Sequence, residues 1–301
     1  VRDWRVHAAL FVVQVAFASQ TVEGKILMGT SANGGEGVSP FDVAMVRMLG
    51  AAVVFQVVVR ATRLLRRTTL RDHLVLGGLS ILGIALNQTL FLVGLRLTSP
   101  TTAALLGVTI PVFAAAIAVA VGHERPSARL ALGLGLSVAG AVWLVGVGTI
   151  DLGGLVVLAN SLSYAAYIVF SRTTVRRLGA LTVITWLFTW GAALFAPLAL
   201  RSVVADAPTW TPRGWWLLGY ILLMPTLVAY LCNAWALGRS SATLVSIYIY
   251  LQPVLAAVLA WVQLGTGLTS RMVGAAALIA VGVAVVASSK DRQRTPAPVS
   301  E

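Results

Sequence analysis

The sequence predicts an all-α polytopic membrane protein with ten transmembrane helices arranged as two inverted five-helix repeats. Three observations carry that expectation. First, 58% of the 301 residues are hydrophobic and 11% are charged, with mean hydropathy +0.89, whereas about a quarter of the residues in a soluble domain are charged. A backbone entering hydrocarbon must satisfy its own polar groups, so a chain this apolar reads as a bundle of spanning helices of about 20 residues each. Second, apolar segments follow one another with short polar links. Third, a stretch of the first half recurs in the second.

The segments run over 7–29, 40–60, 74–95, 101–121, 128–147, 152–171, 180–200, 214–236, 242–263 and 270–289. The first follows Arg2 and Arg5. No small-residue cleavage site comes after it, and Gln14, Gln20, Glu23 and Lys25 interrupt it, so it reads as a retained helix and not a signal peptide. The Gly- and Ser-rich link SANGGEGVSP at 31–40 leads into the second, and TPAPVSE at 295–301 is a polar tail expected to be disordered. The organisation expected is a first repeat over 1–149, a second inverted repeat over 150–289 and a cytoplasmic tail over 290–301.

Leu95 to Gly140 returns 142 residues later as Leu237 to Gly282. The copies share Ser99/Ser241, Thr101/Thr243, Pro111/Pro253, Val112/Val254, Arg129/Arg271 and Gly140/Gly282, with Leu105 answered by Ile247. Five crossings per copy force the second half to enter the bilayer from the opposite side. The charges fit the same arrangement. Assigning alternate links to one side puts sixteen basic residues with the two termini and four, Arg96, Arg201, Arg213 and Arg271, on the other. By the positive-inside rule both termini are cytoplasmic. The formal charge of +12 is therefore an orientation signal and not a nucleic-acid footprint.

The two stretches GLRLTSPTTAALLGVTIPVFAAAIAVAVGHERPSARLALGLGLSVAGAVWLVG and ALGRSSATLVSIYIYLQPVLAAVLAWVQLGTGLTSRMVGAAALIAVGVAVV resemble the repeat of EamA-type transporters of the drug/metabolite transporter superfamily. Each has a small-residue turn, a helix with Pro past its middle and a Gly-rich helix. Lys25, Pro40 and Arg47 also match the family pattern in the first two helices. One departure is that Gly122-His123-Glu124 of the first copy is answered by Gly265-Thr266-Gly267. Glu124 is accordingly given a structural role, with Arg125 or Arg129 as its partner. The resemblance implies ten helices around a cavity near the bilayer midplane. It also implies alternating access, and export of small metabolites, amino acids among them, across the cytoplasmic (inner) membrane of a bacterium. Partners implied are a small-molecule substrate, the lipid bilayer and, on one reading, protons.

Charges inside a bilayer are costly and need a partner or a wet cavity. Glu23 and Arg47 both lie roughly 9–10 Å from the outer surface at 1.5 Å per residue and are the leading pair. They form either a coupling and substrate site or a static ion pair; both readings are open. Lys25 reads as an anchor, since a shift of 147 aligns it with Arg172. Polar residues within apolar segments form a second candidate set: Asn87, Gln88, Asn160, Tyr164, Tyr167, Asn233, Tyr248, Tyr250 and Gln252. They line a cavity or bond helix to helix. Trp186, Trp190 and Trp235 are candidate aromatic walls, and Trp210, Trp215 and Trp216 an interfacial belt. Pro111 and Pro253 are candidate hinges, each freeing a carbonyl one turn earlier.

Catalysis is not expected. His7, His73 and His123 sit near helix ends, and no HExxH motif, paired carboxylates, Cys/His cluster, Walker A or dinucleotide glycine motif occurs, so no metal and no cofactor are expected. Cys232 is the only cysteine, which rules out an intrachain disulfide. A channel, or a scaffold with a static polar core, is the alternative function.

Overall fold

The computed structural model describes residues 4–30, 32, 34–123, 128–145, 151–237, 239, 248–249 and 251–292, and its regular structure there is helical throughout. Glu124, Arg125, Ser241, Thr243, Ile247, Tyr250 and the tail from 293 lie outside the described residues. The helices are α1 Trp4–Met28, α2 Pro40–Ala61, α3 Leu70–Ser80, α4 Leu86–Leu97, α5 Pro100–Gly107, α6 Ile110–Ala120, α7 Ala128–Val145, α8 Leu152–Leu178, α9 Ala180–Asp206, α10 Pro212–Leu222, α11 Ala229–Leu237, α12 Leu251–Leu264 and α13 Ser270–Arg292. Among the described residues seven stretches are long and apolar enough to cross a membrane, and Ala131–Gly140, Leu251–Leu264 and Ser270–Gly282 are shorter apolar helices.

Helix starts are written locally. Ser39, Ser99 and Thr211 each cap a helix whose first residue is Pro, a residue with no N–H to leave unsatisfied. Thr69 opens α3 with a capping box closed by Asp72. These caps start the third span at Leu70, four residues before the apolar run begins.

Among the described residues three spans are interrupted. The third carries a π-helical segment, Ile81–Ala85, between α3 and α4; the eighth carries another, Leu223–Val228, between α10 and α11. The first residues of these segments are 142 apart, the repeat interval, so the irregularity occupies equivalent positions in the two halves. The fourth span breaks at Val108–Thr109, and α6 restarts with Pro111 as its second residue. Pro253 likewise lies in the first turn of α12.

Packing joins the halves through antiparallel pairs. On α2 and α9, Asp42 meets Ser202, Phe55 meets Phe188 and Gln56 meets Thr189. On α1 and the eighth span, Val6 and Leu10 pack on Ala236, Val13 and Ala16 on Ala229, and Ser19 bonds Tyr220. On α7 and α13 the contact is reciprocal: Gly140 lies against Ala275 and Ile279, and Gly282 against Gly133 and Ser137. Positions 275 and 279 are 133 and 137 moved by the repeat interval, so the glycine of each half meets equivalent positions of the other, Gly133 and Ser137 on one side and Ala275 and Ile279 on the other. Glycine is needed there because a Cβ on Gly140 would lie 2.8 Å from the Ile279 side chain. A large buried cluster joins the helices, with Met48, Phe55, Leu187 and Phe188 among its fully buried members.

Candidate functional site

At the heart of the seam sits Arg47, 3% exposed and charged. Its Nε donates to Thr226 Oγ1 at 3.1 Å and its Nη2 to Gln20 Oε1 at 3.3 Å. The Tyr230 phenol is within electrostatic reach. Every one of these neighbours is neutral. Taking a guanidinium out of water costs several kcal/mol, and neutral oxygens return only part of it.

The expected Glu23–Arg47 pair does not form: among the described residues the ion pairs are Arg177–Asp72 and Arg213–Glu36. Gln20, one turn further into the membrane, takes the place expected for Glu23. Arg47 therefore lies level with residue 20 of α1, about 4.5 Å deeper than Glu23 at 1.5 Å per residue. Glu23 is half-buried.

Thr226 reaches Arg47 because of its π segment. Pro225 has no N–H, which frees the carbonyl of Ile221 four residues earlier. Thr226 Oγ1 donates to that carbonyl at 2.9 Å and so keeps a lone pair for Arg47. The equivalent segment of the first half supplies Gly83 and Ile84 to a narrow cleft of about 10 Å³, whose other walls are Tyr164, Tyr167, Ile184, Leu187, Phe188 and Tyr230. It is closed down to a gap of about one water molecule. Tyr164 and Tyr167 lie 5.5 Å apart by ring centroid, as do Phe188 and Tyr230, and the Tyr167 ring packs directly over Gly83, where a Cβ would come within 2.6 Å.

Gln88 is the position equivalent to Tyr230. It is buried, and neither its Oε1 nor its Nε2 has a hydrogen-bond partner. It shares a helix face with Leu92 and Leu95, and Leu95 packs against Gly24 of α1. Orphaned buried amides of this kind are rare and call for an explanation.

The other expected residues divide. Asn160 Nδ2 donates to the Asn87 carbonyl at 2.7 Å, and Ser163 to the Leu82 carbonyl at 2.8 Å, so this face of α8 fastens the bulged third span. Tyr248 bonds His7 Nδ1 at 2.8 Å, about 20 Å along α1 from Gln20, and is apart from Arg47. Asn233 and Gln252 are half-buried, with no hydrogen-bond partner among the described residues. Lys25 caps the carboxyl end of α4, donating to the carbonyls of Leu95, Arg96 and Thr98 at 3.1, 2.7 and 2.6 Å. Trp186 and Trp190 do not line the cleft. They flank His73, Trp190 donating to its Nδ1 at 3.3 Å, while Trp235 is exposed under Arg239. Gln20 is legible in the sequence only as a polar interruption of the first segment, and Thr226, Tyr230 and Phe188 carry no signal of their own, although Pro225 inside an apolar run, one repeat interval from Gly83, marks their neighbourhood.

Two clamps join the halves at opposite ends of α2. After α2, Asp72 takes hydrogen bonds from Thr69 and from Arg177 at the end of α8. Before α2, Glu36 takes one from Thr211 and pairs with Arg213 at 3.4 Å. Thr69 and Thr211 are equivalent positions, as are Asp72 and Gly214. The second half has no carboxylate at its third helical residue, and Glu36 of the first half fills that space, 3.6 Å from where a Gly214 Cβ would stand.

The chain matches the model of the EamA-like transporter family twice, over residues 5–146 and 151–288. It is 27% identical over 234 residues to an uncharacterized transporter of Archaeoglobus fulgidus, covering 75% of this chain and 80% of that one. Uncharacterized transporters YdfC and YyaM of Bacillus subtilis are 25% and 24% identical, over 76% and 81% of this chain and 76% and 83% of their own lengths. A crystal structure 21% identical in sequence shares the fold, with a TM-score of 0.62 over 96% of this chain and 99% of that one.

Proposed function

The chain belongs to the EamA-like transporter family and is a multi-pass membrane protein, and on that premise we propose that it is a secondary active exporter of small metabolites working by alternating access. The reading takes ten spans as two inverted halves over 1–149 and 150–289, in a bacterial inner membrane, with both termini and the tail from 290 cytoplasmic. Sixteen basic residues against four support that orientation.

The observation that carries the reading is the pair of clamps. Each holds one end of the seam shut through a buried carboxylate and an exposed arginine: Asp72 and Arg177 are 4% and 57% exposed, Glu36 and Arg213 7% and 58%. Half-exposed ion pairs are worth about 1 kcal/mol or less, weak enough to open in turn. Arg47 and the cleft of Tyr164 and Tyr167 lie between them, with Asn87, Gln88, Asn160, Asn233 and Gln252 along the spans around it, while Tyr248 stands apart with His7. Pro111, just after the break at Val108–Thr109, and its repeat equivalent Pro253 are taken as the hinges. Glu23 and Asp42 are carboxylates inside the spans that make no ion pair among the described residues, and either is a candidate to carry a coupling proton.

Counterflow into liposomes loaded with amino acids and organic acids tests this. Saturable uptake stimulated by internal substrate is expected, and in Glu23→Gln loss of its response to a pH gradient. Flux linear in concentration, without exchange, identifies a channel instead.

A further inference from the structure

We infer that the central site is built for a small organic anion with a flat apolar body, such as an aromatic carboxylate, in preference to a zwitterionic amino acid. This rests on the transporter reading above and names what the same site takes.

Arg47 is buried, and its hydrogen-bond partners Gln20 and Thr226 are neutral. Glu23 on α1 and Asp42 on its own helix form no ion pair with it. A monoanion completes the site by supplying the missing negative charge through charge-assisted hydrogen bonds. A zwitterion brings its ammonium within about 6 Å of the guanidinium, where the two repel, and the cleft walls contain no carboxylate to hold it. Gln88 is the second, independent sign. Its buried amide carries two unsatisfied groups, and Gln88 follows Ile84 of the cleft wall by four residues, about one turn along the same span. The body of the ligand is set by the remaining walls: Tyr164, Tyr167, Phe188 and Tyr230 present ring faces and edges, and Ile84, Ile184 and Leu187 fill between them.

The test uses the full chain in lipid nanodiscs with phenylacetate, phenylalanine and phenethylamine, a set that holds the ring constant while charge runs from anion through zwitterion to cation. Binding is read by calorimetry and by the thermal shift a ligand of the folded state produces. Phenylacetate is expected to bind tightest, and Arg47→Gln to weaken it about 10- to 100-fold, the effect of losing a charged hydrogen-bonded pair. Arg47→Gln removes a buried charge and keeps a hydrogen-bonding group, so its folding is expected to be intact; Gln88→Leu gives a second reading, a several-fold loss with Arg47 in place. Tighter binding of phenylalanine or phenethylamine, or affinity indifferent to Arg47→Gln, overturns the inference. Saturable counterflow of those same compounds would then leave the transporter reading standing. Absence of both binding and counterflow for all three overturns the inference, and extension of that absence to the whole metabolite set removes the transporter reading as well.

Discussion

At the scale of single residues, the centre of this protein is organised around one charge and the oxygens that hold it. Thr226 does two things at once, donating to a carbonyl that Pro225 has freed and accepting from Arg47. Replacing it by Val keeps the shape and removes both bonds. Because a buried donor left unpaired costs about 1–3 kcal/mol, Thr226→Val is expected to unfold more readily by about that amount in detergent unfolding and to bind substrate more weakly. Unchanged stability would mean that water reaches Arg47 freely. Sequence reading placed Arg47 in a membrane segment but paired it with Glu23. Counting residues from a membrane surface gives depth to within a turn, and one turn separates Gln20 from Glu23. Gln88 was picked out among the polar residues, but its unsatisfied state depends on what every neighbouring helix offers it.

The elements tell a related story about how irregularity is placed. Both π segments sit at equivalent positions, and a π segment widens a helix where a functional group or a close approach requires it. Pro225 explains the second; Gly83 lets the Tyr167 ring approach at the first. Pro225→Ala restores a backbone donor to the Ile221 carbonyl, releasing Thr226 from it. The expected outcome is equal or higher thermal stability with substrate affinity reduced several-fold, measured as a melting curve and a titration on the same preparation. Loss of stability with full affinity would show that the π geometry is set by packing and not by the proline. Helix starts were legible, since Ser-Pro and Thr-Pro caps are local chemistry. The π segments were not, because a bulge adds a residue to a turn without changing the apolar run that marks the span.

For the whole molecule, the two clamps make opposite predictions. Arg177→Ala weakens the closure after α2, and Glu36→Gln the closure before it, and each is expected to widen its own face at the expense of the other. Distances between spin labels across each face should shift in opposite senses in the two variants, with Cys232 first replaced so that labels are placed by design. Movement at both faces together, or at neither, would remove the clamps from the gating cycle. The carboxyl-side groups are buried but keep their hydrogen bonds from Thr69 and Thr211 when the ion pair is lost, so melting temperatures are expected to change by no more than a few degrees.

By itself the sequence determined that this chain is helical and membrane-embedded, and that its halves share a pattern 142 residues apart. Those properties follow from composition and from order along the chain: hydrocarbon admits only self-satisfied backbone, and a copied stretch keeps its caps, prolines and glycines. The tertiary structure alone decided which residue of one half meets which of the other. Glu36 standing in for the carboxylate absent at Gly214, Gln20 in place of Glu23, and the meeting of Arg47 with Thr226 are contacts between helices far apart in sequence. Their geometry is set by how antiparallel faces settle against each other, where a rotation of one residue, about 100°, exchanges one partner for another while leaving hydropathy and spacing the same.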